Sequence, residues 1–294
     1  MSLQRAIQSL RGLAMGDAVG CALANPGLGE PSFEPPPWRY TDDTEMAIAI
    51  VETLGARGSI DQDALALAFA DRFARQPERG YGPVAYWILH RIGEGMPWQE
   101  ASTTPYSGAG SKGNGGAMRV APLGAYFADA PDRAISEAKL SAAVTHAHPQ
   151  GQAGAAAVAF AATILARDTT ASFAALGEVA ERTEDVELRA AIELAARLNG
   201  ADPAEAGRQL GTGKLVRAID TVPFALWAAF THPRDYRAAI SLAMSGLAAP
   251  SCDRDTIGAI VGGLVAISAE PETIPREWRD SVEAVDSLLV RPAG

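Results

Sequence analysis

The sequence predicts an all-α protein. Hydrophobic residues make up 48% of the chain but aromatics only 6%, and alanine is conspicuously common, a composition suited to helices packed through small side chains. Runs rich in Val, Ile, Thr and aromatics, the mark of strands, are scarce. Apolar residues instead recur at helical spacing in one segment after another. The 294 residues suffice for a substantial core. No internal repeat or interdomain linker is evident, so residues 1–294 are expected to form a single domain.

Arg5 to Ala22 reads as an amphipathic helix with Ile7, Leu10, Leu13 and Ala14 on one face. Gly12, Gly16 and Gly20 interrupt it at a cost in helix stability, which points to a neighbour whose backbone comes close. Asp17 is an unusual charge in that setting, either a buried cap or ion-pair partner or a support beside a metal site. From Asn25 to Arg39, Pro26, Pro31 and Pro35-Pro36-Pro37 exclude helix and leave a long, stiff loop carrying Glu30 and Glu34. Met46 to Leu54 is predicted helical, with the acidic cluster Thr41-Asp42-Asp43-Thr44-Glu45 as its first turn.

Asp61 to Arg75 places Leu65, Ala68, Phe69 and Phe73 on one face, with Asp61 as N-cap. Gly80-Tyr81-Gly82-Pro83 breaks the chain before a helix over Val84 to Ile92. The stretch from Ser107 to Gly116 is the strongest loop signal, and it is expected to feed a helix beginning near Ala117-Met118-Arg119. Such a turn offers free amides to an anion, with Lys112 and Arg119 alongside; its spacing is not that of a Walker loop. Helices follow over Ser136–Thr145, Gln152–Ala166, Ala171–Leu198 with a break near Thr183, Thr221–Ala228 and Tyr236–Leu247. His146 and His148 stand two apart, so they cannot share a helix face as a zinc pair.

A second acidic helix start, Ser251-Cys252-Asp253-Arg254-Asp255-Thr256, precedes the apolar run Ile257 to Ile267. An N-cap uses only one Asp or Thr, so each motif carries a carboxylate beyond capping. Clustered like charges disfavour each other unless a cation lies between them, and an all-oxygen donor set suits Mg²⁺ or Mn²⁺ rather than zinc or copper. Gly258 and Gly262, four apart on the helix that follows, permit tight packing.

A net charge of −10 and a pI near 4.9 leave no broad basic field for nucleic acid or an anionic membrane. Cys21 and Cys252 are too few for a disulfide framework. No apolar stretch has membrane-spanning length and the N-terminus lacks a signal-peptide layout, so a cytoplasmic protein is expected.

Taken in order, Gly16-Asp17-Ala18-Val19-Gly20, Thr41-Asp42-Asp43-Thr44, Gly80-Tyr81-Gly82, Gly113-Asn114-Gly115-Gly116-Ala117-Met118-Arg119, Thr145-His146 and Asp253-Arg254-Asp255-Thr256 resemble the ADP-ribosylglycohydrolase family. The resemblance runs through nearly the whole chain and implies an orthogonal all-α bundle with two Mg²⁺ ions, Mn²⁺ being an alternative. It implies Thr41, Asp42, Asp43, Asp253, Asp255 and Thr256 as metal ligands. By the same carry-over Tyr81, Gly82, Ser111, Gly113, Asn114, Gly115, Met118 and His146 line a pocket for ADP-ribose or an ADP-ribosylated substrate.

Two departures stand out. Many members carry a glutamate shortly after the Gly-Asp motif, where gap-free counting puts Ala24; Glu30 or Glu34 takes that role only if the loop folds back. The second motif has Ser251, Cys252 and Arg254 where glycines and a small residue are usual, so the Arg254 guanidinium must point away from the metals. The expected activity is metal-assisted hydrolysis of a glycosidic bond at the anomeric carbon of ADP-ribose, with Asp42 or Asp43 as general base. The alternative is a catalytically weak module that binds metal and ADP-ribose.

Overall fold

The computed structural model describes residues 1–23, 32–168, 170–247, 249 and 251–285. Their regular structure is helical, with isolated bridges in place of strands. The first half comprises α1 (Leu3–Ala22), α2 (Asp42–Arg57), α3 (Gln62–Arg75), α4 (Pro83–Gly93), α5 (Trp98–Thr103), α6 (Gly115–Met118), α7 (Ala121–Tyr126) and α8 (Pro131–Ala143). The second comprises α9 (Pro149–Arg167), α10 (Leu176–Glu181), α11 (Val186–Arg197), α12 (Pro203–Leu210), α13 (Ala218–Thr231), α14 (Tyr236–Ser245), α15 (Arg254–Val265) and α16 (Arg276–Ser281).

Side-chain caps set many of the helix starts. Ser2 Oγ accepts from Arg5 N at α1, and Asp61 accepts from Ala64 N at α3, as its position before the apolar stripe predicts. Helix α2 begins four residues before its apolar run because Thr41 caps it, and it ends on Gly58 in the left-handed conformation. The break expected near Thr183 separates α10 from α11. Glycine-rich residues 107–116 differ from expectation: they feed only the single turn α6, after which Ala121 opens the separate helix α7. Helix α12 has no counterpart in the sequence reading; it is short and polar, capped by Asp202 with Pro203 at its first position.

Helices α9 and α13 are apolar on nearly every side and buried accordingly, with Phe224, Trp227 and Phe230 of α13 among the largest fully buried side chains. The closest helix contact joins α1 to α15, and its cause is written in their glycines. A Cβ built on Gly16 would lie 2.0 Å from Gly258 O, and one on Gly12 would lie 2.5 Å from Gly262 O. The two interrupted helices expected to meet some close neighbour therefore meet each other. Gly16→Ala is expected to destabilise the fold by about 3 kcal/mol or more, because the obstacle is backbone and cannot rotate away. Gly177→Ala, with nothing within 4 Å of the new methyl, is the control. A denaturant midpoint for Gly16→Ala equal to wild type would refute the argument.

Candidate active site

The α1–α15 contact sets Asp17 beside the start of α2. Asp17 is fully buried, and its carboxylate accepts from Thr41 N at 2.9 Å, Thr41 Oγ1 at 3.0 Å, Thr44 N at 3.2 Å and Thr44 Oγ1 at 2.6 Å. Of the two roles open to it, the structure gives support: it fixes the threonines on either side of Asp42 and Asp43. Thr41 Oγ1 is also 3.0 Å from Asp43 Oδ2, so one hydroxyl proton faces two carboxylates. Asp43 Oδ1 is buried and has no hydrogen-bond partner. Glu45, which has capping-box spacing from Asp42, instead bonds Arg72 at 2.8 Å, so Thr41 alone caps the helix.

The second motif arrives from the other end of the chain. Asp253 is the N-cap of α15, and its Oδ2 accepts from Asn114 Nδ2 at 2.7 Å. Asn114 also donates to Thr221 Oγ1 at 3.0 Å, which ties the glycine-rich loop to α13. Asp255 Oδ1 accepts from Thr256 N at 3.0 Å. Arg254 turns away, donating to Ala249 O at 3.3 Å, as a guanidinium between two acidic side chains must.

Asp42, Asp43, Asp253, Asp255 and Thr256 line one cavity of about 670 Å³ together with Gly82, Ser111, Gly113, Asn114, Gly115, Met118 and His146. Three expected residues lie elsewhere. Thr41 sits beneath the lining on Asp17; Tyr81 turns inward, edge-on to Phe73 with ring centroids 5.1 Å apart. Glu34 is exposed and absent from the lining, its backbone N bonded to Ala22 O at 2.9 Å. Glu30 and Ala24 lie outside the described residues.

The sequence reading missed the far wall. Residues 211–217 bring Leu215, Val216 and Arg217 to the cavity, and a Cβ on Gly213 would lie 2.3 Å from Asp253 Cβ. Gly113 pairs with Arg217 in an antiparallel bridge, joining the two loops. The only local signal was Gly211-Thr212-Gly213, a turn signature without a chemical group. The anion-binding reading keeps its two cations, since Lys112 and Arg119 both line the cavity, but not its helix terminus. Helix α6 is too short to present a developed N-terminus, and Arg119 is buried with its guanidinium 4.4 Å from the Phe69 ring.

Burial dominates the electrostatics. It raises the Asp17 pKa to about 7, with Asp255 adding to the shift. Asp42 rises to about 8 through burial, then Asp255 and Asp17. Asp253 likewise rises to about 8 through burial and then Asp255, and Asp43 is pushed well up by burial and by the charges of Asp17 and Asp42. His146 falls to about 3 through burial and the Arg119 charge, so it is neutral at physiological pH. Among the described residues no three His, Cys, Asp or Glu side chains are gathered as a ready metal cage. The donor chemistry fits a hard divalent cation nonetheless: the cavity carboxylates repel one another and the buried Asp43 Oδ1 lacks a partner.

A family model described as ADP-ribosylglycohydrolase matches residues 2–291. ADP-ribosylhydrolase ARH3 of Mus musculus is 27% identical over 98% of this chain and 90% of its own length. The Homo sapiens ARH3 is 29% identical over 84% of this chain and 75% of its own. An ADP-ribosyl-[dinitrogen reductase] glycohydrolase of Rhodospirillum rubrum is 29% identical over about half of each chain, 51% and 53%. A solved structure titled ADP-ribosylglycohydrolase-related protein complex superposes with a TM-score of 0.58 at 26% identity, covering 97% of this chain and 94% of that one.

Proposed function

Because the chain belongs to the ADP-ribosylglycohydrolase family, we propose that its cavity binds ADP-ribose and that the protein hydrolyses the N- or O-glycosidic bond at the anomeric carbon of that group. One observation carries the reading. Carboxylates from two helix starts at opposite ends of the sequence face a single cavity, one of their oxygens buried and unpartnered. Asp42, Asp43, Asp253, Asp255 and Thr256, with the Thr41 hydroxyl as a further oxygen, would hold Mg²⁺. Two such ions, or Mn²⁺ in their place, anchor hydroxyl groups and lower the pKa of water when bound.

The chain's own residues do the rest. Asp42 or Asp43, both held by the first turn of α2, takes the proton of the water that attacks the anomeric carbon, and the departing nitrogen or oxygen gains a proton as its bond to that carbon breaks. Asn114 holds Asp253 in place from the glycine-rich loop. Gly113 and Gly115 leave room for the His146 ring at the cavity wall, since a Cβ on either would stand within about 3 Å of it. Residues 1–294 act in this proposal as one domain, since α1 packs its glycines on α15, the helix whose start brings Asp255 and Thr256 to the cavity. No helix of the described residues is long and apolar enough to cross a membrane.

A second reading, a module that binds ADP-ribose without efficient turnover, is favoured by the exposed position of Glu34 away from the cavity. Single-turnover hydrolysis of an ADP-ribosylated peptide, with Mg²⁺ and with a chelator, separates the two. Release of ADP-ribose that requires Mg²⁺ is the expected result; metal-dependent binding without release would establish the module. In the same assay Glu34→Gln is expected to leave the rate within about twofold of wild type, where losing a general acid or base costs about a hundredfold or more. A hundredfold loss for Glu34→Gln would overturn the assignment of the chemistry to the aspartates.

A further inference from the structure

Arg119, Thr145 and His146 form a hydrogen-bonded chain that ends in the cavity. Arg119 is 1% exposed and lies on the Phe69 ring; its Nη2 donates to Ser141 O and to Thr145 Oγ1, each at 3.0 Å. Thr145 Oγ1 is in turn 2.8 Å from His146 Nδ1. Among the described residues the His146 ring makes no other hydrogen bond, and its Nε2 edge faces the glycine-rich loop, 3.0 Å from where a Cβ on Gly113 would stand.

Donor and acceptor accounting fixes the protons along this chain. A guanidinium has donors only, so Thr145 Oγ1 must accept from Arg119. Among the described residues the Thr145 hydroxyl makes no bond to a backbone carbonyl, and Ser141 O, four residues back, accepts from Arg119 instead. Among the described residues the one partner left for the Thr145 hydroxyl proton is His146 Nδ1; were Nδ1 itself protonated and donating to Oγ1, the buried hydroxyl proton would be left without an acceptor. We infer that Arg119 and Thr145 are positioning residues that lock His146 as its Nε2–H tautomer, a neutral donor aimed at an acceptor oxygen of the ligand in the cavity.

The tautomer follows from this geometry alone, whereas the identity of the acceptor, an oxygen of ADP-ribose, rests on the proposed function. The lock gives the site a hydrogen-bond donor of fixed direction without adding another positive charge beside Arg119. A substrate analogue with a donor at that place would meet N–H against N–H.

Long-range ¹H–¹⁵N correlation spectra of the histidine-labelled full chain test the lock without metal or ligand, the His146 signals being assigned by their disappearance in His146→Gln. Wild type is expected to show a pyridine-type Nδ1 and a pyrrole-type Nε2. Thr145→Val, which keeps the shape and loses the hydroxyl, is expected to convert this to a mixture of tautomers, and Thr145→Ser to restore the single form. ADP-ribose affinity is expected to fall about fivefold to tenfold in Thr145→Val and to recover in Thr145→Ser, the effect of one hydrogen bond. A pyrrole-type Nδ1 in wild type, or an unchanged single tautomer in folded Thr145→Val, would overturn the inference. If the tautomer behaves as stated but ADP-ribose affinity is the same in all three proteins, the lock stands and the acceptor assignment fails.

Discussion

Asp43→Ala is expected to lower turnover of an ADP-ribosylated substrate by about a thousandfold, within the range for loss of a positioned acid or base. The same substitution is expected to raise, not lower, the melting temperature of the metal-free protein. Asp43 is buried, its Oδ1 has no partner, and its neighbours Asp17 and Asp42 repel it, so removing it relieves strain that exists for function. A purely structural aspartate would show the opposite pair: little change in rate and a loss of stability. Turnover close to wild type would remove Asp43 from the chemistry, and a lower melting temperature would contradict the account of repulsion.

Stability of the metal-free protein is expected to fall as pH rises. In the folded state Asp17, Asp42 and Asp253 have pKa values of about 7, about 8 and about 8, raised from 3.8 by burial and then by the charge of Asp255. The folded chain therefore holds more protons than the unfolded chain across that interval, and the slope of stability with pH is negative. The contribution is fully present below the unfolded carboxylate pKa and is lost as pH passes the folded values. Between about pH 5 and about pH 9 the midpoint is expected to drop by about 10 °C, a few kcal/mol for a chain of this size. Mg²⁺ bound only by the folded state supplies the missing counter-charge, so saturating Mg²⁺ is expected to flatten the profile and raise the midpoint at high pH. Calorimetric scans across pH, with chelator and with Mg²⁺, check both statements; a flat profile in chelator would refute them.

What was legible in the sequence was whatever is decided within a few residues. Thr41 before Asp42 announces a helix start, the stripe Leu65–Phe69–Phe73 announces a buried face, and Gly12, Gly16, Gly258 and Gly262 announce close approach. The partner in each case was not legible, because Gly16 meets Gly258 only through the tertiary fold. The same limit explains the misreadings. Arg119 and Lys112 do border the cavity, as their place beside the glycine-rich loop suggests, but the Arg119 guanidinium is already engaged by Phe69, Ser141 and Thr145. Tyr81 shares a motif with two glycines that border the cavity, yet its ring packs on Phe73. The 211–217 wall has ordinary turn residues whose role arises from the pressure of Gly213 on Asp253.

The pairing of α1 with α15 also bears on how the protein is made. The Asp17–Asp42–Asp43 half of the site leaves a ribosome well before the Asp253–Asp255 half, which follows some two hundred residues later. Contacts of such sequence separation are costly to close and form slowly, so the mutually repelling carboxylates come together near the end of folding. A nascent chain stopped before α15 lacks one wall of the cavity and leaves the glycine groove of α1 bare. Assembly of the acidic centre is in this way tied to synthesis of the chain through α15, because Asp253, Asp255 and Thr256 border the same cavity as Asp42 and Asp43.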